Sequence, residues 1–593
     1  MNRLSSIFLS LGFLTLCGIL YVIYSTPNAA GYELTIYDAF PGYFFFLFIV
    51  AYFFGYSVIF GSLKGKNETI MYFVFAFLLI LMANTILLSL SNLHGYWLYG
   101  RGEGDVLFHI GVMKDIVQTG HVHNEVFYPI LHLLGTTIFY VTNISFENIT
   151  TLISIMFTLC FSLYVYFLAS SITEKVWKKI IIVGYSTLLI FSVFNLRVHP
   201  SVLSAIMLPL ILGSYQYKSW ANKKPVEFSI IILILAFLIT FMHPITTILL
   251  LILIVGYFFI NKIHKKSAFS DAKELNLALL ISIAFFAWYL SYSSILRYFK
   301  IIYTSLLSES DTSISNYYMD IYSTSQLSAY NTIKYLFWNY GYLVILFGIA
   351  TLFIVSNLYK HHKKVDLPLV NISYSYFQFI GFLISISFMV GYFIEFEVIR
   401  VSRLAVILSV ITCGLFSIEF IKINKKYIIF PFIILILLSS FFVFNVYSSP
   451  HQSSPNYHMT EMEYSGLEWI IVNRNNDLQF VSNTNIWKNG FYILGYGESL
   501  KDPINKNRNK LPTNYGYEKY ESFNDAVINE LELNESFYTT YDTYMEINYK
   551  VLPTEVWDIA SKYNKSYIEM DKSVSVIYSN GEHENWLVNI YSF

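Results

Sequence analysis

Gly100 to His132 reads GRGEGDVLFHIGVMKDIVQTGHVHNEVFYPILH and is the most polar segment between two long apolar blocks. It gathers Glu103, Asp105, Asp115, Glu125, His109, His121, His123 and His132 into about one loop. Carboxylates and imidazoles concentrated between membrane helices mark a place where such a protein does chemistry. The fold turns on the apolar run Tyr128–Tyr140 at the end of this segment. That run either crosses the membrane or lies along its surface, and every later loop changes sides with the choice.

The whole chain of 593 residues is 55% hydrophobic and 13% charged, which puts it in the polytopic membrane class rather than the soluble one. A net charge of −1 gives no basic field for nucleic acid. Cys17, Cys160 and Cys413 each sit in an apolar run, spaced neither as metal ligands nor as a disulfide framework. Ile7–Tyr24 lacks a small-x-small cleavage site and reads as an uncleaved first helix.

Runs long enough to span fall near 6–26, 40–62, 69–91, 149–171, 178–196, 201–217, 273–293, 333–357, 372–394, 402–420 and 427–446. The block 227–260 is too long for one helix, and Met242-His243-Pro244 divides it in two. The expected tally is about thirteen transmembrane helices. With the amino terminus cytoplasmic, lysines collect in alternate loops, at Lys64/Lys66, Lys175/Lys178/Lys179, Lys218/Lys223/Lys224, Lys262/Lys265/Lys266/Lys273, Lys360/Lys363/Lys364 and Lys422/Lys425/Lys426. That asymmetry holds only if Tyr128–Tyr140 does not cross. The expected topology is a multi-pass plasma-membrane protein with loops 91–148 and 294–332 outside.

After residue 446 the chain turns polar, so residues 1–446 read as the transmembrane domain and 447–593 as an extracytoplasmic α/β domain. Helices are expected over 466–475, 523–533 and 555–563, and strands over 478–482, 537–541, 573–578 and 586–591.

Asp105 and His109 lie one helical turn apart, with Val112 and Ile116 on the same face of a surface helix over 105–117. A carboxylate at the water–lipid boundary beside an imidazole suits a general base for a hydroxyl nucleophile. Glu103-x-Asp105 also has the spacing of paired carboxylates on a divalent cation, Mg or Mn, and a hydrated acidic face has the same pattern. His121-x-His123 offers two further metal ligands or an exposed pair. Tyr128-Pro129 opens a short helix that carries His132, which fits a substrate contact and a structural hydrogen bond equally. Arg197, His199 and His243 fall at outer helix ends. Glu395-Phe-Glu397-Val-Ile-Arg400-Val-Ser-Arg403 precedes the twelfth span, where the arginines either snorkel and pair with glutamate or clamp a lipid-linked phosphate bidentately.

On these residues the chain resembles the GT-C glycosyltransferases, polytopic enzymes that take sugars from polyprenyl-phosphate or polyprenyl-diphosphate carriers. They include oligosaccharyltransferases, protein O-mannosyltransferases and lipid A aminoarabinose transferases. Gly104-Asp105 with His109 resembles their first-loop acidic motif, which implies Asp105 as catalytic base or metal-associated carboxylate. Arg400 or Arg403 resembles the arginine that neutralises carrier phosphate. The segment from Asp105 to His132 is similar to uncharacterised prokaryotic, particularly archaeal, membrane proteins of this type. The Trp-Trp-Asp-Tyr-Gly motif of oligosaccharyltransferases is absent, and Ile486-Trp487-Lys488-Asn489-Gly490 does not replace it. A single-sugar or surface-glycan transfer is therefore expected rather than sequon-directed transfer. Its partners would be a lipid-linked sugar donor and a glycan, lipid or protein acceptor. A transporter or flippase of lipid-linked glycans, or a non-catalytic scaffold, remains the competing expectation.

Overall fold

The computed structural model describes residues 2–63, 69–101, 105–219, 225–265, 272–293, 295–297, 300, 328–390, 398–482, 486–502, 504, 511–554, 557 and 562–590. Eight helices among these residues are long and apolar enough to cross a membrane. They lie within α1 (Asn2–Ser25), α2 (Phe44–Ser62), α3 (Thr69–Leu93), α6 (Phe146–Ile172), α13 (Ala329–His362), α14 (Leu369–Val390), α15 (Val398–Ile423) and the segment that ends in α16 (Ile429–Val443). Three shorter apolar stretches belong to α10 (Pro225–Met242), α11 (Pro244–Lys265) and α12 (Ala272–Tyr289). Pro244 separates α10 from α11 at the expected break, because a proline cannot donate to the preceding turn.

Between Gly100 and Phe146 lie α4 (Val106–Thr119) and α5 (Ile130–Thr142). The 13 residues of α5 make about 20 Å, shorter than the hydrocarbon layer of about 30 Å. The helix therefore has the length of an interfacial element.

One expectation is corrected. Residues 178–196 do not form one helix. Instead α7 (Val176–Ser186) stops, the chain unwinds to His199, and α8 (Pro200–Ile206) and α9 (Leu208–Ser219) follow as two pieces in place of one span over 201–217. Unwound backbone inside a helical bundle survives only when its polar groups find partners. Here distant side chains supply two of them: Asn84 of α3 donates to the Thr187 carbonyl at 2.7 Å and Ser162 of α6 to the Ser186 carbonyl at 3.0 Å. The segment's own Ser192 donates outward to the Asn445 carbonyl at 2.6 Å. Asn195 donates back to the carbonyls of Leu189 and Ser192. Ser192 holds φ of 49° in this segment, a conformation non-glycine residues seldom adopt. Asn84→Leu keeps a similar bulk but strands the buried Thr187 carbonyl. It is expected to cost about 1–3 kcal/mol, read as a lower thermal unfolding midpoint in detergent. An unchanged midpoint would show that the break does not depend on Asn84.

Beyond α16 the chain forms a four-stranded sheet of order β3-β4-β6-β5 from β3 (Gln479–Phe480), β4 (Phe537–Asp542), β5 (Val574–Ser579) and β6 (His583–Val588). β3 and β4 are parallel, and the other pairs are antiparallel. The strands and helices expected at 466–475, 478–482, 523–533, 537–541, 573–578 and 586–591 appear with shifted ends, as α17 (Glu461–Asn473), β3, α20 (Phe523–Leu531), β4, β5 and β6. The helix expected over 555–563 falls largely outside the described residues. Two helices without an expected counterpart, α18 (Ile486–Leu494) and α19 (Tyr496–Lys501), pack against α4. A two-residue ribbon joins β1 (Leu98–Tyr99) to β2 (His458–Met459), with Tyr99 opposite His458. The apolar core of the bundle continues into Leu467, Ile470, Phe480 and Tyr538, so this segment is packed onto the helices.

Candidate functional site

Asp105 takes its place from the turn before α4. Gly100 has φ of 132°, and a Cβ there would stand 2.8 Å from a Val106 methyl, so the chain needs a glycine to double back. The backbone N–H groups of Gly100 and Arg101 both donate to the Tyr457 carbonyl at 2.8 Å, which ties the turn to the segment after α16. Asp105 is then the residue before the first turn of α4. Its side chain makes no capping hydrogen bond. The carboxylate is 45% exposed, and Lys488 Nζ of α18 stands 3.6 Å from Oδ1.

One turn along, His109 is buried, and its Nδ1 lies 2.9 Å from His132 Nε2 of α5. Burial, helped by the Lys488 charge, pushes the His109 imidazole down to about 3, and burial and then His109 push His132 well below its usual value. Both rings are neutral at physiological pH, so one nitrogen of the pair donates and the other accepts. Tyr128 stacks on His132 at 6.0 Å between centroids and also lies near the rings of His109 at 6.1 Å and His243 at 6.2 Å. Trp288 of α12 donates to the Phe127 carbonyl at 2.7 Å and pins the segment that carries Tyr128. His109, His132, Tyr128 and His243, scattered over three parts of the sequence, thus form one cluster behind Asp105.

The arginines gather at the unwound segment. The Arg197 guanidinium lies 4.1 Å over the Tyr457 ring and 5.9 Å over Tyr99, beside the same turn that leads to Asp105. Arg403 of α15 is buried and lies 5.8 Å over Phe194, and the Phe194 and His199 rings meet edge-on at 5.6 Å. His199 Nδ1 shares a hydrogen bond with Ser201 Oγ at 2.7 Å. Arg400 belongs to the first turn of α15, while Glu103 and Glu397 lie outside the described residues.

The expected metal set is not brought together. His121 and His123 follow the carboxyl end of α4, whereas Asp105 precedes its amino end, and 14 residues of helix separate them by about 21 Å. His121 is exposed beside Thr119, and His123 lies edge-on to Tyr496 at 5.1 Å. No group of three or more His, Cys, Asp or Glu side chains is arranged as ligands among the described residues. A lysine at 3.6 Å from Asp105 is also poor company for a cation. Asp105 and the His121/His123 pair therefore do not form one ligand set, and Glu103 lies outside the described residues.

Two features went unread in the sequence. Lys488 belongs to the Trp-Lys-Asn-Gly stretch that lacks the oligosaccharyltransferase motif, yet α18 carries it to Asp105. Arg101 is buried between Glu463 and Asp542 at 2.5 and 2.6 Å, where the first loop meets the segment after α16. Neither had a signal beyond a charge in an amphipathic or polar stretch.

No family model matches this chain, and no curated protein matches it in sequence. Among solved structures, it is similar to the Archaeoglobus fulgidus oligosaccharyltransferase, crystallised with an acceptor peptide containing the NVT sequon tethered through a disulfide bond. The similarity covers 81% of this chain and 70% of that one, at 11% identity and a TM-score of 0.47.

Proposed function

We propose that the chain is an integral membrane glycosyltransferase that moves a sugar from a polyprenyl-phosphate or polyprenyl-diphosphate carrier to an acceptor hydroxyl or glycan. The reaction takes place at the outer membrane face, with the amino terminus cytoplasmic and the segment after residue 446 outside, as the lysine asymmetry favours. The observation that carries this reading is the half-open Asp105 carboxylate, one helical turn before the buried His109–His132 pair and beside Lys488. Asp105 removes the proton of the acceptor hydroxyl. The freed oxygen attacks the anomeric carbon from the side opposite the phosphate. The bond from that carbon to the phosphate oxygen breaks, its electron pair leaves with the carrier, and configuration inverts. Arg403, with Arg400 one turn before it, stabilises the departing phosphate by paired N–H donation. The neutral pair His109–His132 and the Tyr128 and His243 rings hold the α4–α5 turn in register; they are positioning residues.

The test is transfer by the purified chain in lipid vesicles, with a labelled polyprenyl-phosphate sugar and a range of acceptors. Donor cleavage with label on the acceptor is expected, and Arg403→Gln should lower its rate by about 10²–10³-fold, the usual loss for a charge-stabilising donor. Movement of intact donor across the vesicle without cleavage would replace this reading by transport. Carrier binding with neither outcome would leave a scaffold.

A further inference from the structure

We propose that the cavity between the first turns of α13, the turn Pro450–Gln452, residues 550–554 and Trp557 binds an anionic saccharide, a sugar unit bearing a carboxylate, sulfate or phosphate. The inference rests on the glycosyltransferase reading and assigns the class of glycan held beside the transfer site.

The cavity measures about 310 Å³, at the small end of the range for ligand sites of about 300–1,000 Å³. Lys334 and Lys550 both line it, with His451, Asn331, Tyr335 and Trp557, and no carboxylate lines it among the described residues. Neither lysine makes an ion pair with any described residue. Two ammonium groups that share one polar hollow repel unless an anion comes between them. Lys334 is close enough to His451 to add to the desolvation that lowers its imidazole pKa, and Asp38, which does not line the cavity, opposes it.

The walls are fixed. Trp338 stacks on His451 at 5.3 Å, Asn339 donates to the Gln452 carbonyl at 3.2 Å, and the Trp557 indole donates to the Leu552 carbonyl at 2.8 Å. The lining also decides between ligands. Tyr335 and Trp557 bring aromatic rings to the lining, and Asn331, Ser453 and Thr554 are polar, a mixture suited to a polyhydroxyl ring rather than an acyl chain. Its place in the fold agrees. The 34 residues of α13 make about 51 Å, well beyond a hydrocarbon layer of about 30 Å, and its last turn carries Lys360, His361 and His362. The first turns of α13 therefore rise out of the membrane on the opposite side, where they meet the segment after α16 that also supplies Lys488 to Asp105.

The experiment titrates the full-length protein in detergent with a glucuronate-containing tetrasaccharide, its carboxyl-reduced neutral counterpart, and inorganic phosphate. The charged sugar is expected to bind at least about tenfold tighter than the neutral one, the scale of one charge-assisted hydrogen bond. Lys334→Gln with Lys550→Gln should erase the difference, and Lys334→Arg with Lys550→Arg should keep it. Equal binding of both sugars, or a preference that survives the Gln pair, overturns the site. Phosphate binding as tight as the charged sugar would show a bare anion site and overturn the saccharide assignment. Transfer is measured separately. A wild-type protein that cleaves donor but shows no preference for the charged sugar sinks only this inference, and preference without any cleavage sinks only the enzymatic reading.

Discussion

Asp105→Asn is expected to slow sugar transfer by about 10²–10⁴-fold, the contribution of a positioned general base. The substitution isolates proton abstraction because little else depends on that side chain. It makes no capping hydrogen bond to α4, and asparagine is itself a good residue at this helical position, so folding should be untouched. Shape is preserved, and Lys488 can still approach the amide oxygen. Carrier binding should therefore persist while turnover falls. Initial rates of the wild-type and Asp105→Asn proteins, reconstituted side by side at neutral pH, decide it. An unaltered rate in the variant would falsify the assignment.

How much could be read ahead of the structure depends on how far apart the cooperating residues lie. Crossing the bilayer demands about twenty apolar residues in a row, which is a local property, and α1, α2, α3 and α6 were legible for that reason. The shortness of α5 was legible too, through the lysines it places on one side. The unwound segment between α7 and α8 was not. Its own residues 188–194 are mostly apolar and read as helix, and the partners that let it unwind, Asn84 and Ser162, belong to other helices. His121-x-His123 left a ligand pair and an exposed pair both open; the fold puts the two histidines beyond the opposite end of α4 from Asp105, with His121 exposed. Lys488 and Arg101 were hidden because each is meaningful only against a partner far along the chain. Periodicity reports what one helix does to its neighbours in sequence. It is silent about charges that meet across the fold.

The largest stability effect should come from Arg101→Met, expected to cost about 3–5 kcal/mol, the penalty for removing one partner of a buried ion pair. The guanidinium donates to Asp542 at 2.6 Å, pairs with Glu463 at 2.5 Å and lies 3.9 Å over the Tyr544 ring, with side chains between 4% and 7% exposed in all three charged residues. Methionine replaces its bulk but leaves two carboxylates side by side out of water. Burial already drives Glu463 up to about 8, with Arg101 pulling it down and Asp542 pushing it up. A carboxyl raised in the folded state stabilises fully below its unfolded value of about 4.3 and loses that contribution as pH climbs through 8. Removing Arg101 deletes the opposing pull, so the variant should be least handicapped near pH 5.5 and most near pH 8.5. Thermal midpoints of both proteins at those two values test this, and a small, pH-independent difference would contradict it. The ribbon of β1 and β2 holds two residue pairs, and Arg101 adds a buried ion pair to it. Lys488 itself is held at Asp105 by the packing of α18 on α4, where Lys114 Nζ donates to the Tyr492 carbonyl at 2.9 Å, so the loss in Arg101→Met is expected in stability first.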